Sequence, residues 1–161
     1  ASMIFGFAGD TETMIRLWRG WGLADFLIKA AYDETVMAGG SAGAIAWFEK
    51  GHSDSESYQM LPGMPWQYKW VDALGIYQAI VCPHYDIYTD GGEPRRESLR
   101  KFISTGGDPE LLPIYGIENN AALVIDGETV GSKHSVTEGH VYEIDRASGE
   151  AVGVIAPYGT E

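Results

Sequence analysis

The sequence predicts an α/β domain, a mainly parallel sheet with flanking helices, closed by antiparallel hairpins at its C-terminal end. Two observations predict it. Over the first part of the chain, short apolar runs alternate with turns and helix-compatible stretches, as in successive strand-turn-helix units. Over the last third, apolar runs are separated only by short turns carrying glycine, as in antiparallel strands.

The first unit is Ile4-Phe5-Gly6-Phe7, ended by Ala8-Gly9-Asp10-Thr11 and followed by Met14, Leu17, Trp18, Trp21, Leu23, Phe26, Leu27 and Ala30 at helical spacing. Gly20 and Gly22 interrupt that spacing, which predicts a broken helix pair around Trp21-Gly22 with a second helix from about Leu23. The second unit is Thr35 to Ala38, a turn at Gly39-Gly40-Ser41-Ala42-Gly43, and a helix through Ala44 to Glu49. Residues 51–59 then turn polar, and with Pro62-Gly63-Met64-Pro65 they predict a long surface loop or lid made sticky by Trp66, Tyr68 and Trp70. Ile76 to Cys82 is a third strand, stopped by Pro83-His84, so His84 falls just past a strand end. Glu97 to Ser104 predicts a helix and Ile114 to Ile117 a strand. Ala121 to Ile155 reads as strands turning at Asp126-Gly127, Glu138-Gly139 and Ser148-Gly149.

The chain of 161 residues shows no repeat, low-complexity tract or linker, so residues 1–161 are expected to form a single domain. Apolar residues at 45% and charged residues at 21% are globular values and exclude a disordered or collagen-like chain. A formal net charge of -12 repels phosphate backbones, and no basic cluster exceeds Arg95-Arg96, so nucleic acid is not an expected partner. One cysteine, Cys82, cannot form an internal disulfide, which favours a reducing cytoplasm. No apolar run approaches the ~20 residues of a membrane span, and no signal-like segment opens the chain. Ala1-Ser2 ahead of Met3 reads as an expression scar with Met3 as the encoded start.

Gly39-Gly40-Ser41-Ala42-Gly43 matches the nucleophile elbow G-x-S-x-G, in which small residues two before and two after the serine let a strained strand-to-helix turn present Oγ. The same residues would also serve as a plain glycine turn with a capping serine. A serine hydroxyl is a weak nucleophile and requires a base within hydrogen-bond reach, with an acid to orient that base. His84, at a strand end, is the best base; His52, His134 and His140 fall in the polar loop and the hairpins. For the acid, Glu118 follows the strand 114–117, while Asp54 and Asp86 sit in loops near the serine and the histidine in sequence; Ser41, His84, Glu118 and Ser41, Asp54, His84 are both possible orders. No cofactor is expected. Neither G-x-G-x-x-G nor a Gly-Lys-Ser/Thr loop is present, and no His pair sits at i, i+4 for a metal, so none is assigned.

Taken together, Gly39 to Ala44, Cys82-Pro83-His84-Tyr85-Asp86 and Gly116-Ile117-Glu118-Asn119-Asn120-Ala121-Ala122-Leu123 resemble the peptidase E family, which includes cyanophycinase. The three motifs come in that family's order, and the similarity runs over nearly the whole chain. The resemblance implies a class I glutamine-amidotransferase-like (flavodoxin-like) fold and a cofactor-free, metal-free serine peptidase removing N-terminal aspartate from small peptides. It implies Ser41 as nucleophile, His84 as base, Glu118 as orienting acid with Asp54 as rival, and an oxyanion hole from the backbone at Gly9-Asp10 and Ala42. Arg95 and Arg96 would bind the substrate's aspartate carboxylate, a task suited to a bidentate guanidinium.

Two departures accompany the resemblance. Ala8-Gly9-Asp10-Thr11 stands where the family usually has Gly-Gly-Asn-Thr, placing a carboxylate beside the oxyanion site. The family's N-terminal strands and helices are also missing from the sequence, which predicts an exposed sheet edge covered by a second copy in a homodimer or higher oligomer. The competing function is a catalytically weak relative kept as an oligomeric binding or regulatory protein.

Overall fold

The computed structural model describes residues 2–61, 63–64, 66–88, 93–105, 112–134 and 138–159, the last two residues of the 112–134 stretch by backbone alone. It is a mixed α/β structure of the predicted class, in two compact units, Ala1–Val81 and Cys82–Glu161.

In the first unit, β1 (Met3–Gly6) leads into α1 (Thr11–Gly20) and α2 (Leu23–Tyr32), and β2 (Val36–Gly39) returns parallel to β1 with Phe5 opposite Ala38 and Gly6 opposite Gly39. Asp10 caps α1 by accepting the Thr13 N–H, and Glu12 and Arg19 stand at the ends that suit the helix dipole. The predicted break is present: Gly22 sits at φ 71 between the helices, a backbone state open to glycine at little cost.

After Ser41 the chain differs from expectation. The helix α3 (Ala42–Ile45) is a single turn, and Phe48 and Glu49 belong to β3 (Phe48–Ser53). β3 pairs parallel with β5 (Tyr77–Pro83) and antiparallel with β4 (Lys69–Asp72), so part of the expected loop is sheet. The reason is partnering: His52, Ser53 and Ser55 are fully buried, yet Ser53 Oγ bonds Thr11 Oγ1 at 2.9 Å and Ser55 Oγ at 2.9 Å. Ser55 Oγ in turn accepts the Glu12 N–H, and the His52 ring stacks on Tyr68 at 4.5 Å. Polar side chains so satisfied can line an interior that composition alone assigns to solvent. Apolar packing comes from Ile15, Leu27, Ile45, Val71, Ile80 and Val81, with Trp18 stacked on Trp47. Met3, Phe5, Phe7 and Val36 are exposed.

The second unit holds the end of β5, α4 (Arg95–Ser104), β6 (Ile114–Ile117), β7 (Ala121–Asp126), β8 (Thr129–His134), β9 (Val141–Ile144) and β10 (Ala151–Val154). β6 pairs with β9, β9 with β10, and β7 with β8, all antiparallel, the β7–β8 and β9–β10 hairpins being those the turn pattern predicts. The turns expected at Asp126-Gly127 and Ser148-Gly149 have Gly127 and Gly149 at φ 58 and 72. Leu99, Ile114 and Val141 are its buried apolar centre. Pro62, Pro65 and the 135–137 side of the Glu138-Gly139 turn lie outside the described residues.

Candidate active site

Ser41 occupies the turn between β2 and α3 with φ 54 and ψ -119, a backbone state that costs a non-glycine residue on the order of 1–3 kcal/mol. Small neighbours permit it. A Cβ on Gly43 would lie 2.1 Å from the Gly6 carbonyl oxygen, and one on Gly39 would lie 2.2 Å from the Gly43 carbonyl oxygen. Backbone touches backbone on both sides of the serine, the steric requirement of a nucleophile elbow. Ala44 and Ile45 N–H both bond the Ser41 carbonyl, and Gly43 N–H bonds Gly40. Ala42 N–H, the amide next to the serine, makes no such bond among the described residues.

The other first-unit candidates gather at the start of α1. Gly9 has φ 146, and Asp10 takes its place as the helix cap. Burial pushes the Asp10 carboxyl up, but bonds from Thr13 and Ser55 outweigh it and hold the group below the usual aspartate range. Asp54 is partly buried and bears on Tyr58, whose phenol is raised by burial and by the nearby Asp54 and Asp10 charges.

In the second unit His84 follows β5 directly, at φ 55. The Tyr85 N–H bonds the Ile117 carbonyl at 3.0 Å, tying the histidine turn to the end of β6, where the Tyr85 ring fits against Gly116. His84 Nδ1 meets Asn119 Oδ1 at 2.8 Å, and the Asn119 backbone N–H bonds Asp86 Oδ1 at 2.8 Å. Glu118, expected beside the histidine, is engaged elsewhere. Its Oε2 accepts the His140 N–H at 2.9 Å and lies 3.2 Å from His140 Nδ1, and the Tyr142 hydroxyl bonds the same carboxylate. Tyr142 is raised by burial first and then by the Glu118 charge, with Arg96 opposing. Asn119 is therefore a residue that sequence reasoning passed over. The signal was one position away in Glu118-Asn119, but the search for an orienting acid considered carboxylates alone, Glu118, Asp54 and Asp86.

The two arginines separate. Arg95 is 2% exposed and lies on Cys82, whose thiol burial pushes up to about 11 against the pull of that guanidinium. Arg96 is exposed and close enough to Tyr85 and Tyr142 to oppose, without overcoming, the burial that raises both phenols. Among the described residues no group of three or more His, Cys, Asp or Glu side chains could hold a metal ion. No described helix is long and apolar enough to cross a membrane.

Comparison with known proteins adds two findings. The model of peptidase family S51 matches residues 1–133. An uncharacterized peptidase, YgaJ of Bacillus subtilis (strain 168), is 35% identical over 121 residues, covering 75% of this chain and 46% of that protein. The chain thus spans about half the length of this curated relative.

Proposed function

This chain belongs to peptidase family S51, and on that premise we propose that it is a serine-type dipeptidase acting on small peptides with N-terminal aspartate. The observation that carries the reading is the strained Ser41 turn, φ 54 and ψ -119, braced by glycine backbone. Such strain is retained where a side chain must be displayed.

In this reading Ser41 Oγ attacks the scissile carbonyl carbon while His84 Nε2 takes the hydroxyl proton, which requires the two atoms to meet within hydrogen-bond reach. The oxyanion that forms is met by the Ala42 and Gly9 amides, a contribution on the order of 3 kcal/mol for such donors. Collapse breaks the C–N bond, His84 returns the proton to the leaving amine, and an acyl-serine remains. Water then attacks the ester with His84 again as base, releasing the acid and restoring Ser41. Arg96 is the favoured reader of the aspartate carboxylate, because Arg95 is buried on Cys82. The enzyme acts as a homodimer in which a second copy covers Met3, Phe5, Phe7 and Val36.

A second reading, a weakly active regulatory relative, is favoured by Asp10, a carboxylate held ionised next to Gly9. Incubation with Asp-X dipeptides and matched Ala-X controls, alongside Ser41→Ala, separates the two. Ser41-dependent cleavage of Asp-X alone supports the peptidase; a folded protein that cleaves nothing supports the regulatory relative.

A further inference from the structure

We propose that Asn119, a neutral amide braced by Asp86, is the positioning residue that orients His84. This rests on the hydrolase reading above and specifies its third member. An amide oxygen only accepts, so the 2.8 Å contact between His84 Nδ1 and Asn119 Oδ1 puts the imidazole proton on Nδ1 and leaves the Nε2 lone pair free for the serine proton.

Asn119 itself is held from several directions. Its N–H is anchored on Asp86 Oδ1 at 2.8 Å, and its carbonyl lies against Gly139, where a Cβ would come within 2.3 Å. On the flanks, Glu118 N–H bonds the His140 carbonyl and Ala121 N–H bonds the Glu118 carbonyl. Glu118 is committed to His140 and Tyr142 by the bonds already described. Glu118 and Asn119 follow the end of β6, and their side chains take different partners, Glu118 the His140 ring and Asn119 the His84 ring. The charged and titratable groups around this turn are Asp86, Glu118, His140, Tyr85, Tyr142 and Arg96.

An amide fixes tautomer and direction but brings no charge to balance the imidazolium formed during attack. The test is 15N NMR of the full chain, with the His84 ring signals assigned by their loss in His84→Gln. The wild type is expected to be Nδ1-protonated. In Asn119→Ala that preference is lost, and kcat on Asp-X falls on the order of 10²-fold, the lower end of what a positioned base contributes, with KM little changed. Asn119→Asp, nearly isosteric, keeps the Nδ1–H tautomer, and the added charge moves the acid limb of the kcat/KM profile up by about one unit or more. An Nε2–H wild type, an unchanged tautomer in Asn119→Ala, or loss of the tautomer in Glu118→Ala instead would overturn the assignment. The NMR result stands apart from turnover: absence of Ser41-dependent cleavage refutes the hydrolase reading, while the tautomer still decides the role of Asn119.

Discussion

Replacing Gly43 with alanine should damage the protein far more than replacing Gly40, although both lie in the same five-residue turn. At Gly43 the new Cβ would stand 2.1 Å from the Gly6 carbonyl oxygen and 2.2 Å from its carbon, whereas nothing lies within 4 Å of a Cβ on Gly40. Ordinary contact begins near 3.4 Å, so β1 and α3 must separate by more than 1 Å, and neither neighbour is a flexible side chain. Overpacking of this kind costs about 1–3 kcal/mol, and a backbone-to-backbone clash belongs at the upper end. For a chain of this length ~3 kcal/mol corresponds to a loss of roughly 6–12 °C in Tm. Gly40→Ala, at a φ outside the left-handed range, should be neutral or stabilising by up to about 1 kcal/mol through the unfolded chain. Urea and thermal unfolding of the two variants, side by side with wild type, measure the difference. Equal stabilities would refute the backbone-contact account of the elbow, and with it the steric reason for glycine two residues after Ser41.

Further outcomes follow from other parts of the structure. Ser41→Gly should unfold at higher denaturant than Ser41→Ala by about 1–2 kcal/mol, since glycine relieves φ 54 and alanine does not; a reversed order would show that the serine backbone is not strained. Cys82, buried and shifted to about 11, should resist iodoacetamide at pH 8 in the folded chain and react once urea unfolds it, as mass spectrometry would report. Asp10→Ala should cost about 0.5–2 kcal/mol at pH 7 as a lost cap. Because the folded carboxyl is held low, its stabilisation is complete above the unfolded value, about 3.9, and disappears as pH falls through the folded one. The gap between wild type and variant should therefore close at acid pH, and a gap that persisted would remove the charge from the explanation.

Several parts of this architecture were legible in the residues. The glycines around Trp21 marked the break between α1 and α2, the proline after Cys82 marked the end of β5, and the Asp126-Gly127 pair marked the β7–β8 hairpin. Each is a local cause, a backbone state or a missing donor that one or two residues dictate. The stretch from Trp47 to Ser55 was not legible, because helix propensity at 44–49 yielded to pairing of β3 with β4 and β5, and because the serines find partners only across the fold on Thr11 and Glu12. That Asn119 meets His84 was not legible in sequence for a related reason. Which of two consecutive side chains faces His84 depends on how β6 ends and on the anchor at Asp86, about thirty residues earlier in the chain.

The buried hydroxyls of β3 also carry a consequence for the order in which the first unit assembles. An apolar strand gains free energy from any collapse that excludes water, whether or not its neighbours are in place. Ser53 and Ser55 gain only when the start of α1 has formed and presents Thr11 and the Glu12 amide; before that, burying them leaves unsatisfied groups costing a few kcal/mol. Docking of this segment is thus placed on the native side of the folding barrier, where Ser53→Ala would speed unfolding and leave the folding rate almost unchanged.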